Sequence, residues 1–366
     1  MNRRTTDIVV IGDGVIGLST AFELGRAGAR CRIFGAVNHG AASGAAAGLL
    51  APSVGTLRPE VQPFFDASLG LYPDFVESLR SWEPELALLE GLLDVSSNAE
   101  RSLGADAPRG DRGVIPNEAR DHFLSASDLA LLEPTLAASS AIFYPRDGAI
   151  DNGLLTRALH AAVSSVSTSR ITSDDPVAGI GFGPRVEIRT RSGATIQAET
   201  VILAAGAWSA GIEGLPRRLP VVPLKGQMLS VASAALRHPI MGDDVYIVPR
   251  RAEIAIGATA EHAGFDTTVF PDAIERLRQS ALAICPSLAD GPVIRTWAGI
   301  RPATPDMLPI LGADPDHPSL IYACGHSKNG ILLAPATARS IAALATGAQP
   351  PFDLDPFSIK RFIGPE

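Results

Sequence analysis

The opening of the chain restricts its fold more than any other stretch. An apolar run, Asp7-Ile8-Val9-Val10-Ile11, leads into Gly12-Asp13-Gly14-Val15-Ile16-Gly17 and then into a helix-like segment over residues 18–27. Strand, G-x-G-x-x-G turn and amphipathic helix, in that order, form the start of a dinucleotide-binding βαβ unit. Gly12 permits the tight turn, Gly14 omits the side chain that would hold the backbone away from a pyrophosphate, and Gly17 lets the helix lie close to the strand. The pyrophosphate then meets the backbone N–H groups at the helix start, where Val15 and Ile16 lie and the helix dipole is positive. One part of the pattern is missing. The second strand, Cys31-Arg32-Ile33-Phe34, should run into an Asp or Glu for the ribose hydroxyls, but Gly35, Ala36, Val37 and Asn38 follow it. The ribose is therefore expected to be held by backbone and by Asn38 or His39, or the adenosine to be held less tightly.

A chain of 366 residues buries enough surface for two domains. Its net charge of −8, without a long basic run, argues against nucleic acid or an anionic membrane as the main partner. The three cysteines, Cys31, Cys285 and Cys324, are far apart and show no metal-ligand spacing, so no metal is expected and the thiols read as free in a reducing cytoplasm. Asn2-Arg3-Arg4 before an apolar run imitates a secretion signal. Asp7 and Asp13 interrupt that run, and the nucleotide turn already uses it, so no signal peptide is expected. No apolar segment reaches membrane-spanning length.

Residues 40–52 are almost free of bulk until Leu49, which allows backbone to lie flat against a large planar ligand. Residues 59–82 carry a helical stripe interrupted at Pro63 and Pro73. Residues 96–120 are polar and rich in turn formers, a short helix is expected from Asp128, Asp147-Gly148 reads as a turn, and 152–164 reads as helix. Residues 186–190 and 195–198 form a hairpin, 201–205 reads as a buried parallel strand, and 227–258 alternates as sheet. A helix over 271–284, a strand over 320–324 and a last helix through Ala345 complete the pattern. Nucleotide-type segments at both ends and in the middle predict two interleaved domains: 1–85, 140–215 and 298–366 for the dinucleotide, and 86–139 and 216–297 for a substrate.

Several landmarks occur in one order. Besides 12–17 they are Ala45 to Pro52, Leu203-Ala204-Ala205-Gly206-Ala207-Trp208-Ser209, Val222 to Met228, Tyr246-Ile247-Val248-Pro249-Arg250, Trp297 to Pro302 with Thr304-Pro305-Asp306, and Gly325-His326 with Asn329 to Pro335. In these the chain resembles the glycine oxidase branch of the FAD-dependent D-amino-acid oxidase superfamily, and only about 85–120 matches poorly. The resemblance implies an α/β fold: a Rossmann-type FAD-binding domain interleaved with an antiparallel β-sheet substrate domain, glutathione-reductase/p-hydroxybenzoate-hydroxylase-like. It implies oxidative deamination of a small amino acid (glycine, sarcosine or D-amino acid type). Hydride would pass from Cα to flavin N5, O2 would be the acceptor, and the products would be imine or keto acid, ammonia and H2O2. No cysteine falls in 297–306, where sarcosine oxidase relatives tether their flavin, so non-covalent FAD is expected. A homo-oligomer is expected too.

Residue by residue, the resemblance places FAD against Gly12, Gly14, Val15, Ile16 and Gly17. It adds Ser43, Ala46, Ala47, Gly48 and Leu49, the backbone of Val177 at adenine, then Ala205, Gly206, Trp208, Gly299 and Arg301. The head of the last helix adds His326, Lys328, Asn329, Gly330 and Ile331, whose N–H groups would face the flavin's pyrimidine edge. Arg301 would grip the substrate carboxylate with its fork, Tyr246 would add a hydroxyl, and Leu49, Ser327 and Lys328 would border the pocket. The competing readings are a structural ion pair for Arg301 and a core-covering strand aromatic for Tyr246. His326 is assigned a structural or flavin-orienting part, and Lys225 none in catalysis. The family's aromatic-then-Arg pair is Ser327-Lys328 here, which leaves room for a bulkier substrate. Four alternatives stand beside the oxidase. They are a same-fold dehydrogenase passing electrons to a quinone or protein, a tailoring amine oxidase acting on a biosynthetic intermediate, a non-catalytic flavoprotein subunit and an NAD(P)-dependent dehydrogenase.

Overall fold

The computed structural model describes residues 7–54, 58–97, 121–166, 169–233, 236–251 and 253–363. The opening strand Asp7–Ile11 lies inside a six-stranded sheet, parallel to Arg30–Phe34 on one side and to Thr200–Leu203 on the other. Ser169–Thr172 and Leu320–Cys324 extend the parallel set, and Ile310–Ala313 closes it as an antiparallel edge. Side chains alternate across this sheet. Ile8, Val10, Ile33, Ile202 and Ile321 enter a core with helices Val15–Arg26, Asn152–Ser165 and Gly330–Ala345. Val9, Ile11, Phe34, Val201 and Leu203 enter a second core under a three-stranded antiparallel sheet. That smaller sheet contains the expected hairpin, Val186–Thr190 with Thr195–Ala198, flanked by Val177–Phe182.

The second unit is built on a nine-stranded, mostly antiparallel sheet with one parallel pair, Ile240 opposite Leu93. Its outer face buries Leu229, Val231, Ile247, Ile254 and Ile256 beneath helix Pro271–Ile284. Its inner face carries Met228, Val248 and Ala255 against Ala47 and Ala149. The long strand Ser140–Ile150 is hydrogen-bonded into this sheet, although 140–215 reads in sequence as nucleotide-type. Asp147-Gly148, expected as a turn, lies within that strand, beside an irregularity in its pairing with Leu88–Asp94. Asp147 accepts from the backbone N–H and the hydroxyl of Ser53, which holds a polar pair inside the sheet.

The stripe over 59–82 is two helices, Gln62–Gly70 and Tyr72–Leu79, each with its proline in the first turn, where a missing N–H costs nothing. The helix expected from Asp128 spans Ala126–Leu132. It is capped by Ser125, and Asp128 completes the capping box. Most of the polar stretch 96–120 lies outside the described residues. Among the described residues no helix is long and apolar enough to cross a membrane.

Candidate active site

The nucleotide turn folds as its glycines require. Gly12 has φ +116°, and a Cβ there would stand 2.2 Å from the Ala204 carbonyl oxygen. A Cβ at Gly17 would lie 1.9 Å from the Gly12 carbonyl oxygen, so any side chain would push the helix off the strand. The helix Val15–Arg26 has no acidic residue in its first turn and no side-chain cap from Gly14. Its Val15 N–H is taken by Ser43 Oγ at 2.9 Å, which ties the small-residue segment to the helix start.

That segment is held from three further sides. The Asn152 amide donates to the Ser43 carbonyl at 2.6 Å, Trp297 Nε1 donates to the Ala45 carbonyl at 2.9 Å, and Arg250 Nη2 donates to the Ala46 carbonyl at 2.8 Å. Gly299 passes so close that a Cβ would sit 2.4 Å from Ala45 Cβ. Ala47 and Gly48 are buried, Leu49 is half-buried in the short strand Leu49–Leu50, and Ala46 packs against the helical core. These residues fit FAD. The turn and first helix present backbone N–H groups without a competing carboxylate in the first turn, and nothing lies within 4 Å of where a Cβ would project at Gly44 or Gly206. Ala205, Gly206 and Trp208 follow the parallel strand Thr200–Leu203, and Trp208 stacks on Phe265 with centroids 5.2 Å apart. Val177 is buried beside Phe34 and Ile11 at the start of its strand.

Strand register places the polar pair. Leu224 faces Arg301, Met228 faces Trp297 and Gly257, and Tyr246 faces Gly257. By the two-residue alternation, Arg301, Gly299, Trp297, Gly226, Met228 and Tyr246 share the inner face, towards Ala47. The structure therefore brings Arg301 and Tyr246 together from residues 55 apart in sequence. The guanidinium lies over the bare backbone of Gly226, where a Cβ would be 2.5 Å from Nη1 and Nη2. Arg301 Nη1 donates to the Thr259 carbonyl at 2.9 Å, and the Tyr246 hydroxyl lies 3.7 Å from Met228 Sδ. Burial pushes the Tyr246 hydroxyl above its ordinary pKa, while the hydrogen-bonded Arg301 cation pulls it back. Tyr246 thus stays a neutral hydroxyl beside a cation.

At the other end, His326 is buried with Nε2 3.2 Å from Thr337 Oγ1, and burial pushes its pKa down to about 3. It is a neutral imidazole at neutral pH. Ser327–Asn329 form a 3-10 turn that packs against the strand carrying Arg301 and leads into Gly330–Ala345. Ser327 is buried with its Oγ 3.6 Å from Met307 Sδ, and Lys328 is exposed. Lys225, fully buried, pairs with Asp266 at 3.2 Å and lies over the Phe270 ring. The expectation that no carboxylate stands at the end of the second strand needs correction. The Asp13 carboxylate fills the space over Gly35. Sequence reasoning also missed Arg250, Asn152 and Thr259. Only the Tyr246-to-Arg250 motif hinted at the first.

A dinucleotide turn, a small-residue floor and an inward-facing cation–hydroxyl pair define the class: a flavin-dependent oxidoreductase. The chain belongs to the FAD dependent oxidoreductase (DAO) family, which matches residues 7–344, and its cofactor is FAD. It is 38% identical over 362 residues to the bifunctional protein ThiO/ThiG of Trichormus variabilis, covering 92% of this chain and 52% of that protein. The chain thus spans about half the length of that relative. It is 34% identical to the glycine oxidase of Pseudomonas aeruginosa, over 96% of this chain and 98% of that one. Among solved structures it is similar to glycine oxidase from Geobacillus kaustophilus, with TM-score 0.87 and 30% identity, covering 98% of this chain and 100% of that chain.

Proposed function

We propose that the chain oxidises a small amino acid at its Cα–N bond, with Arg301 holding the substrate carboxylate and O2 taking the electrons. The observation that carries this reading is the Tyr246–Arg301 pair on the inner face of the sheet, beside the floor formed by Ala47 and Leu49. Bound FAD supplies the hydride acceptor. The protein's own part is positioning. The Arg301 fork makes charge-assisted bonds to a carboxylate, its Nη1 tie to Thr259 fixes the plane of the fork, and the Tyr246 hydroxyl donates a further bond. No general base is required of the chain when the amine enters uncharged, and the neutral, buried His326 supports that reading. Gly330 and Ile331 open a helix whose dipole favours negative charge at that end, which supports their placement at the flavin's pyrimidine edge.

Ser327, small where the family has an aromatic residue, supports a substrate larger than glycine. FAD is held non-covalently on this reading, since Cys31, Cys285 and Cys324 are buried and none lies in the strand beside Arg301. The test is oxygen uptake and peroxide release with glycine, sarcosine and a panel of D-amino acids. Uptake with at least one of them, matched by peroxide, is expected. Reduction of a quinone or dye without oxygen uptake overturns the oxidase assignment in favour of a dehydrogenase.

A further inference from the structure

The missing ribose acid has a replacement that linear reading does not show. The strand Arg30–Phe34 ends at the buried Gly35, the position where this kind of unit carries its Asp or Glu. A Cβ at Gly35 would lie 1.8 Å from Asp13 Oδ2 and 2.0 Å from Asp13 Cγ. The Asp13 carboxylate, as placed, therefore occupies the space that a side chain at 35 would take. Asp13 is the second residue of the glycine turn, and its carboxylate is held in this place. Ser173 Oγ donates to Asp13 Oδ2 at 2.8 Å, and Ser173 directly follows the strand Ser169–Thr172. The three strand ends are tied together, with Gly12 N–H on the Phe34 carbonyl at 2.7 Å and Gly35 N–H on the Thr172 carbonyl at 2.8 Å. The carboxylate thus stands at the carboxyl ends of adjacent parallel strands, where a dinucleotide lies in such sheets.

We infer that Asp13 is the ribose-binding acid of this chain. It reaches from the glycine turn into the space that Gly35 leaves empty, and its Oδ1 accepts a hydroxyl of the adenosine ribose. Nothing in this assignment depends on the substrate or on Arg301. Only FAD binding, which the family supplies, is needed. Asn38 and His39, the residues expected from sequence to hold the ribose, are not required.

The experiment reads nucleotide affinity, not turnover. The full chain is loaded with FAD, and release on dilution is followed as the rise of free-flavin fluorescence. Displacement by ADP and by 2′-deoxy-ADP is measured in the same way. A hydrogen bond to a charged group corresponds to roughly 10- to 100-fold in affinity. Asp13→Asn, which keeps side-chain volume, should release FAD more readily by that factor and lose the wild-type preference for ADP over 2′-deoxy-ADP. The swap Asp13→Ala with Gly35→Glu should recover most of the affinity lost in Asp13→Ala, since it returns the acid from the strand side. Circular dichroism checks that the variants are folded. Wild-type affinity and ADP preference in folded Asp13→Asn overturns the proposal, as does a swap variant that binds FAD no better than Asp13→Ala.

Discussion

Arg301 is held by the Thr259 carbonyl on one side and lies against the bare backbone of Gly226 on another, so its fork is set before a ligand arrives. Tyr246→Phe keeps the ring and removes the hydroxyl. Steady-state kinetics should show KM raised about 10-fold or more, the worth of a hydrogen bond to a charged group, with the flavin spectrum unchanged. His326 gives a pH prediction. Its folded pKa is about 3, against an ordinary 6.5. The unfolded chain therefore takes up a proton below 6.5 that the folded chain refuses until about 3. The stability this group supplies is complete above 6.5 and is lost as pH falls through that window. On the order of 2 kcal/mol should be lost by pH 4.5. Urea midpoints should fall between pH 7 and pH 4.5, and His326→Gln should show a smaller fall. The contact of Tyr246 with Arg301 is legible in the sequence only through the motifs that surround the two residues. The placement of Asp13 over Gly35 exists only after the first two strands pair.

The helix Gly330–Ala345 meets part of its polar obligations through residues far away in the chain. Pro335 lies inside the helix Gly330–Ala345 and has no N–H, which strands the carbonyl of Ile331 one turn earlier. The buried Tyr72 hydroxyl donates to that carbonyl. Ser68 Oγ donates to the Leu332 carbonyl at 2.8 Å and accepts from the Ala336 N–H at 3.2 Å. The helices before and after Leu71 thus repair the helix proposed to face the flavin. Tyr72→Phe should leave a buried carbonyl unsatisfied and cost about 1–3 kcal/mol in urea unfolding. An effect under about 0.5 kcal/mol would show that the bond is not needed. The helices themselves are legible from their apolar spacing and prolines. Their repair is not, because the partners stand 259 residues apart. The same holds for Asp147-Gly148. Its turn-forming residues sit in a strand because Ser53, far away in sequence, satisfies the carboxylate.

At the scale of the molecule, a few side chains couple the two units. Arg250 leaves the nine-stranded sheet to donate to the Ala46 carbonyl at 2.8 Å and to Asn152 Oδ1 at 2.7 Å, while also facing Glu253. Arg250→Met should destabilise the chain by about 2–4 kcal/mol, from acceptors and a carboxylate left short of a partner. It should also loosen FAD, measured as release on dilution. The two kinds of sheet, one mostly parallel and one mostly antiparallel, are legible from the strand patterns. The membership of Ser140–Ile150 in the nine-stranded sheet is not, since both sheets accept apolar strands and only pairing decides. On the proposed reading, this geometry serves one arrangement, an arginine fork held by Thr259 on the inner face of the sheet, where the flavin would lie. The most direct measurement is anaerobic titration of the FAD-loaded chain with small amino acids, following the flavin absorbance, in wild type and in Arg301→Ala. The account predicts bleaching of wild type by at least one of them, and an intact flavin spectrum in Arg301→Ala that bleaches only at more than about 100-fold higher concentration, the loss of a bidentate charged contact. Identical titration curves for the two proteins would contradict it.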